Sequence, residues 1–193
     1  MHLLVRETRG LDEAEDATDL GQSRADLVFL SFSDSDLGAL AASWTAQRDA
    51  APSLRLANLS RLRHPMSVDL YVEQVIAGAR CVVIRLLGGL DYWRYGAEEI
   101  AHAARAQGIP LALLPGDGRD DARLAELSTV DGATLARLDA FFAAGGPENM
   151  RRALDMMAHL AGLAPDDGLS AEPVPMHGVH RLEMAEVPGR PLA

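Results

Sequence analysis

Cys81-Val82-Val83-Ile84-Arg85-Leu86-Leu87-Gly88-Gly89-Leu90-Asp91-Tyr92-Trp93 is the stretch that decides how this chain folds. It opens as an apolar, partly β-branched run broken by one arginine, short enough for a strand and apolar enough to be covered on both faces. The glycine pair then permits the tight or closely approached backbone that ends such a strand. Beyond it, Ala97, Ile100, Ala101 and Ala104 recur at helical spacing until Gly108, where a left-handed residue can close a helix. Strand, glycine turn and covering helix together are the repeating unit of a parallel α/β sheet.

The same unit recurs on both sides. Short apolar runs bounded by charge, glycine or proline predict strands at residues 2–6, 27–32, 54–58, 81–87 and 111–114. Between the second and third, Leu37, Leu40, Ala41 and Trp44 share a helical face, with Ser33 or Asp34 as the cap. Val68, Val72, Val75 and Ile76 mark the next helix, which the pattern starts after Ser67 and ends at Gly78. After Pro115 only helical runs follow, at 122–127, 135–142 and 150–160, the last two separated by Gly145-Gly146-Pro147. The expectation is a five-stranded parallel, flavodoxin-like (Rossmann-like) three-layer domain over residues 1–163 with extra C-terminal helices. Residues 164–193, rich in proline, glycine and acids with one short strand pattern at 179–184, read as a linker or the start of a following domain.

Composition narrows the chemistry. The 18 basic residues are all arginine, so a P-loop lysine, a Schiff-base lysine and a lysine general base are excluded. A formal charge of −10 opposes binding to nucleic acid and to anionic membranes. The amino-terminal residues lack a signal-peptide core and no apolar run is long enough to span a bilayer, which points to a cytoplasmic protein. Cys81, the single cysteine, sits among apolar neighbours and reads as an inert core thiol. His2, His64, His102, His159, His177 and His180 form no metal-binding pair, and Asp12, Glu13, Glu15 and Asp16 lack calcium-loop spacing, so no metal site is expected.

Open α/β sheets bind ligands beyond the carboxyl ends of their strands, so the strand-end loops are where chemistry is sought. Ser33-Asp34-Ser35-Asp36 suits helix capping, with a divalent ion as the rarer use of its two acids. Asn58-Leu59-Ser60-Arg61-Leu62-Arg63-His64-Pro65 offers arginine forks that match carboxylates, or is a plain charged loop. At Gly88, Gly89, Tyr92 and Trp93 two readings stand: a flat apolar surface for a ligand, or a turn whose tryptophan packs into the core while Asp91 caps the helix. Pro115-Gly116-Asp117-Gly118 matches neither phosphate-loop pattern and reads as a turn. No GxSxG elbow or activated nucleophile is present, so no catalytic residue is assigned.

The series Asp19-Leu20-Gly21-Gln22-Ser23, Asp26-Leu27-Val28-Phe29-Leu30-Ser31, Arg85-Leu86-Leu87-Gly88-Gly89, Tyr92-Trp93 and Gly96 resembles, in order and spacing, the start of the large subunit of aerobic, ATP-dependent cobaltochelatases. Leu113-Leu114-Pro115-Gly116-Asp117 and Phe141-Phe142-Ala143-Ala144-Gly145-Gly146-Pro147-Glu148-Asn149 extend the resemblance over roughly residues 1–163. That family is similar to the large subunit of magnesium chelatase. The resemblance implies a tetrapyrrole-binding subunit that holds hydrogenobyrinic acid a,c-diamide while cobalt(II) is inserted during cobalamin biosynthesis. It also implies an AAA-type ATPase subunit and its partner subunit, which bind the MgATP. This segment would bind no cofactor, and the metal-insertion residues would lie in later domains of a far longer chain. Within it, Gly88, Gly89, Tyr92 and Trp93, with Arg63 and His64, are the candidate wall of the substrate cleft. The rival readings are a self-contained flavodoxin-like module with strand order 2-1-3-4-5, and a docking domain that recruits partners around Arg151 and Arg152.

Overall fold

Leu27–Ser31 (β1) is buried at every residue, a pattern that requires cover on both faces and a neighbour on each edge. A computed structural model describes residues 17–47, 51–119 and 121–174 and supplies both neighbours. β1 pairs in parallel with Leu54–Asn58 (β2), Leu27 opposite Leu54, and with Cys81–Leu86 (β3), Leu27 opposite Cys81. Leu111–Pro115 (β4) joins the far side of β3, so the order is β2-β1-β3-β4. The strand predicted at 2–6 and the strand pattern at 179–184 lie outside the described residues, among which there are four strands. Counted from residues 2–6, the order 2-1-3-4-5 would place Leu27–Ser31 at an edge; the structure places it inside the sheet, where its full burial is satisfied.

Strand alternation divides the core into two layers. Val28, Leu30, Val82, Ile84, Leu86 and Leu113 face one way, onto Pro65–Gln74 (α2), Arg94–Gln107 (α3) and Leu124 of the short Ala122–Leu127 (α4). Leu27, Phe29, Cys81, Val83, Ala112 and Leu114 face the other way, onto Asp34–Ala46 (α1), Gly132–Ala144 (α5) and Gly146–Leu160 (α6). Phe29 stacks on Phe142 of α5 with ring centroids 5.0 Å apart, joining sheet and helix layer near the middle of β1.

Helix boundaries follow local chemistry. Ser33 caps α1, its hydroxyl accepting the Asp36 N–H at 3.2 Å, and α3 closes on Gly108 at φ 67°. α2 departs from expectation: it starts at Pro65, capped by the His64 ring, whose Nδ1 accepts the Met66 N–H at 3.1 Å. Ser67 is already helical there and instead accepts the Thr18 N–H at 2.7 Å. α5 and α6 are longer than their apolar runs and are separated by Gly145 alone, with Pro147 inside the first turn of α6.

Residues 164–174 have no regular secondary structure yet lie against the last two helices. Arg137 of α5 grips Asp166 and Asp167 at 2.8 and 2.9 Å. The buried Asn149 side chain donates to the Glu172 carbonyl and accepts the Glu172 N–H, at 2.7 and 2.8 Å. No helix among the described residues is long and apolar enough to cross a membrane.

Candidate functional site: a cleft at the carboxyl ends of three strands

Because β2 and β3 flank β1, the segments leaving the carboxyl ends of all three strands are neighbours. The chain order reverses between β1 and β3, the position where open α/β sheets form a crevice. Phe32 follows directly after β1, Arg63 comes from the segment after β2, and Tyr92 from the segment after β3. Phe32 meets Tyr92 edge to face with centroids 5.0 Å apart and planes at 75°. The Arg63 guanidinium lies 5.6 Å from the centre of the Tyr92 ring, and its Nη2 donates to the phenolic oxygen at 3.1 Å. Tyr92 nonetheless remains 57% exposed.

The glycine pair makes this placement possible. Gly88 and Gly89 take φ of 84° and 73°, a region that side-chain-bearing residues rarely adopt. A β-carbon on Gly89 would also lie only 3.0 Å from Asp121 Oδ2. Asp121 anchors the turn by accepting the Leu90 N–H at 3.1 Å. Its carboxyl is held far below the usual range, first by the Arg123 guanidinium at 2.8 Å and then by the Leu90 amide. Asp91 bonds Arg94 and also reaches Arg123, 3.0 Å away, and these two guanidinium groups, Arg94 first, lower its pKa. Asp91 therefore ties the turn to two arginines instead of capping α3, whose N-cap position is Trp93 and carries no side-chain cap.

The candidate residues separate into distinct roles. Arg63 and Tyr92, together with Arg94 and Tyr95, line a cleft of about 400 Å³. Trp93 lies at the floor of the same cleft but is only 5% exposed, and its Nε1 donates to the Leu62 carbonyl at 2.8 Å, so most of the indole is a core group. His64 caps α2, and Gly88 and Gly89 shape the backbone. Pro115 ends β4 and Gly116-Asp117-Gly118 bend away from it, the Gly116 N–H donating to the Leu86 carbonyl at 2.7 Å.

An ion pair beside the crevice was not singled out by sequence. Arg85 of β3 holds Asp36 of α1 through Nη1, 3.0 and 2.9 Å from the two carboxylate oxygens, with both side chains largely buried. Ser31 donates its hydroxyl to the same carboxylate at 3.1 Å, and the Arg85 guanidinium lies 5.7 Å from the centre of the Phe142 ring. Asp36 thus faces a protein cation. The available signal was an arginine inside an otherwise apolar strand, which demands a buried acid partner. Among the described residues, no group of three or more His, Cys, Asp or Glu could hold a metal ion. Burial raises the Cys81 thiol to about 12, consistent with an inert core position.

No family model matches the chain. Two curated proteins do: the aerobic cobaltochelatase subunit CobN of a Sinorhizobium species, 42% identical over 160 residues, and that of Pseudomonas aeruginosa, 40% identical over 149 residues. These alignments cover 83% and 77% of this chain but 12% of each relative. Among solved structures, the catalytic subunit of cobaltochelatase from Mycobacterium tuberculosis superposes with a TM-score of 0.61 at 29% identity, again over 83% of this chain and 12% of that one. Sequence and fold therefore agree over the same share of the chain, and the protein belongs to the aerobic cobaltochelatase CobN family, matching a segment of 12% of its relatives' length.

Proposed function

We propose that this chain is the N-terminal α/β domain of the tetrapyrrole-binding subunit of a cytoplasmic cobaltochelatase, and that it contributes a substrate-facing wall without carrying out metal insertion itself. In this reading the parent subunit holds hydrogenobyrinic acid a,c-diamide while cobalt(II) enters. An AAA-type ATPase subunit and its partner hydrolyse MgATP to drive the step. Insertion needs groups that accept the pyrrole protons as the metal sheds water, and those are assigned to later domains of the parent chain.

The observation that carries the role of this segment is the exposed Tyr92 ring, braced by Phe32 and overlaid by Arg63 at the carboxyl end of the sheet. A macrocycle presents a flat apolar face with polar substituents around its rim, and an aromatic ring beside a guanidinium complements both. The docking reading finds less support around Arg151 and Arg152, because Glu148, Asp155 and Glu172 engage those two side chains.

The test is corrinoid binding by the full-length subunit carrying Tyr92→Ala. Weakened binding with unchanged thermal stability is expected, since the side chain is exposed; full affinity in the folded variant would remove the cleft from the substrate path.

A further inference from the structure

Several arginines stand around the carboxyl ends of the strands, and they differ in how their charge is met. Arg85 faces Asp36, Arg94 faces Asp91 and Glu98, and Arg123 faces Asp91 and Asp121. Arg63 faces no carboxylate among the described residues; its one hydrogen bond goes to the neutral Tyr92 phenol. In a chain with a formal charge of −10, acids to pair with it are plentiful. Its position is nevertheless defined, because the guanidinium lies over a ring that Phe32 also contacts edge to face. Only Nη2 is used by the phenol, leaving Nε and Nη1 free of acceptors among the described residues, beside a cleft of about 400 Å³.

From this arrangement we infer that Arg63 is a specificity-determining residue that selects a ligand bearing a free peripheral carboxylate over the same ligand with a carboxamide there. A guanidinium already held in place binds a carboxylate through charge-assisted, fork-shaped hydrogen bonds, whereas an amide offers one carbonyl acceptor and no charge. The flat part of the ligand lies toward Tyr92 and Tyr95, and its rim toward Arg63. The inference rests on the substrate-wall reading above and deepens it, because it makes the cleft sensitive to how far the macrocycle's side chains have been amidated.

The experiment compares two metal-free corrinoids on the full-length subunit, one with free side-chain carboxylates and one with every side chain amidated, by absorbance titration at low ionic strength. The wild type is expected to prefer the acid by about tenfold, the order of magnitude of a charge-assisted contact at a partly exposed site. Added salt should shrink that preference. Arg63→Ala should abolish most of it by weakening the acid alone, and Arg63→Lys should restore part. Equal wild-type affinities, or a preference undiminished in folded Arg63→Ala, would overturn the inference while leaving the parent's tetrapyrrole-binding role intact. Failure of the wild-type subunit to bind either corrinoid would overturn both.

Discussion

The indole of Trp93 occupies the space that a β-carbon on Gly96 would need: built onto the backbone, that carbon would lie 2.1 Å from Cζ2 of the ring. Helix α3 can therefore start beneath the candidate cleft only with glycine at its third residue. Gly96→Ala should push the indole off the Leu62 carbonyl and destabilise the protein by about 1–3 kcal/mol, the usual cost of overpacking a filled core. Urea unfolding would give the loss, and a shift in tryptophan fluorescence would report the displaced ring. Unchanged stability would mean that the backbone can yield at this point.

Arg85 and Asp36 lock β3 to α1. Removing one partner leaves an uncompensated charge in a largely buried position, so Asp36→Ala should cost about 2–4 kcal/mol. Replacing both together, Asp36→Leu with Arg85→Met, should recover most of that stability, because an apolar pair needs no desolvation of charge. A double-mutant cycle read by denaturant unfolding checks this; additive losses would show that the two groups act independently.

Much of the architecture is legible in the chain, and the rest hides for identifiable reasons. The strands at 54–58, 81–87 and 111–114 are bounded by residues that punctuate any sheet, and Ser33 and Gly108 are among the strongest helix-boundary signals. His64 as a cap is harder to anticipate, since its ring accepts a backbone hydrogen bond only in a suitable tautomer and rotamer. Tyr92 and Trp93 are adjacent aromatics of similar composition, and a single turn of 3-10 helix at Leu90–Tyr92 sends one outward and the other into the core. The pairing of Arg63 with Tyr92 depends on strand order, which places the segments after β2 and β3 on either side of β1. Periodicity identifies strands without ordering them, and for the same reason the Arg85–Asp36 pair could be expected in kind but not in partner.

Glu148 supplies a pH-dependent contribution in the first turn of α6. Arg151, and secondarily Arg152, lower its carboxyl from the ordinary value of 4.5 to about 2. A folded-state pKa below the unfolded one means that the stabilisation is complete above 4.5 and is lost as pH falls toward 2. Glu148→Gln should therefore melt below the wild type at neutral pH, with the difference closing across that acid window. A gap between the two melting temperatures that stays constant with pH would contradict the assignment.

Placing β1 in the interior of the sheet also has a consequence for biosynthesis. Its wholly buried strand leaves the ribosome first among the four described, gains β2 on one edge, and must wait for β3 to be made before the other edge is covered. At ribosomal speeds of about 5–20 residues per second, the interval from the end of β1 to the end of β3 is roughly three to eleven seconds. During that time the nascent chain carries an unpaired apolar strand, the kind of segment that misassociates with other chains. The arrangement that brings three strand ends together at the cleft thus gives the growing polypeptide a period of dependence on chaperones or dilution.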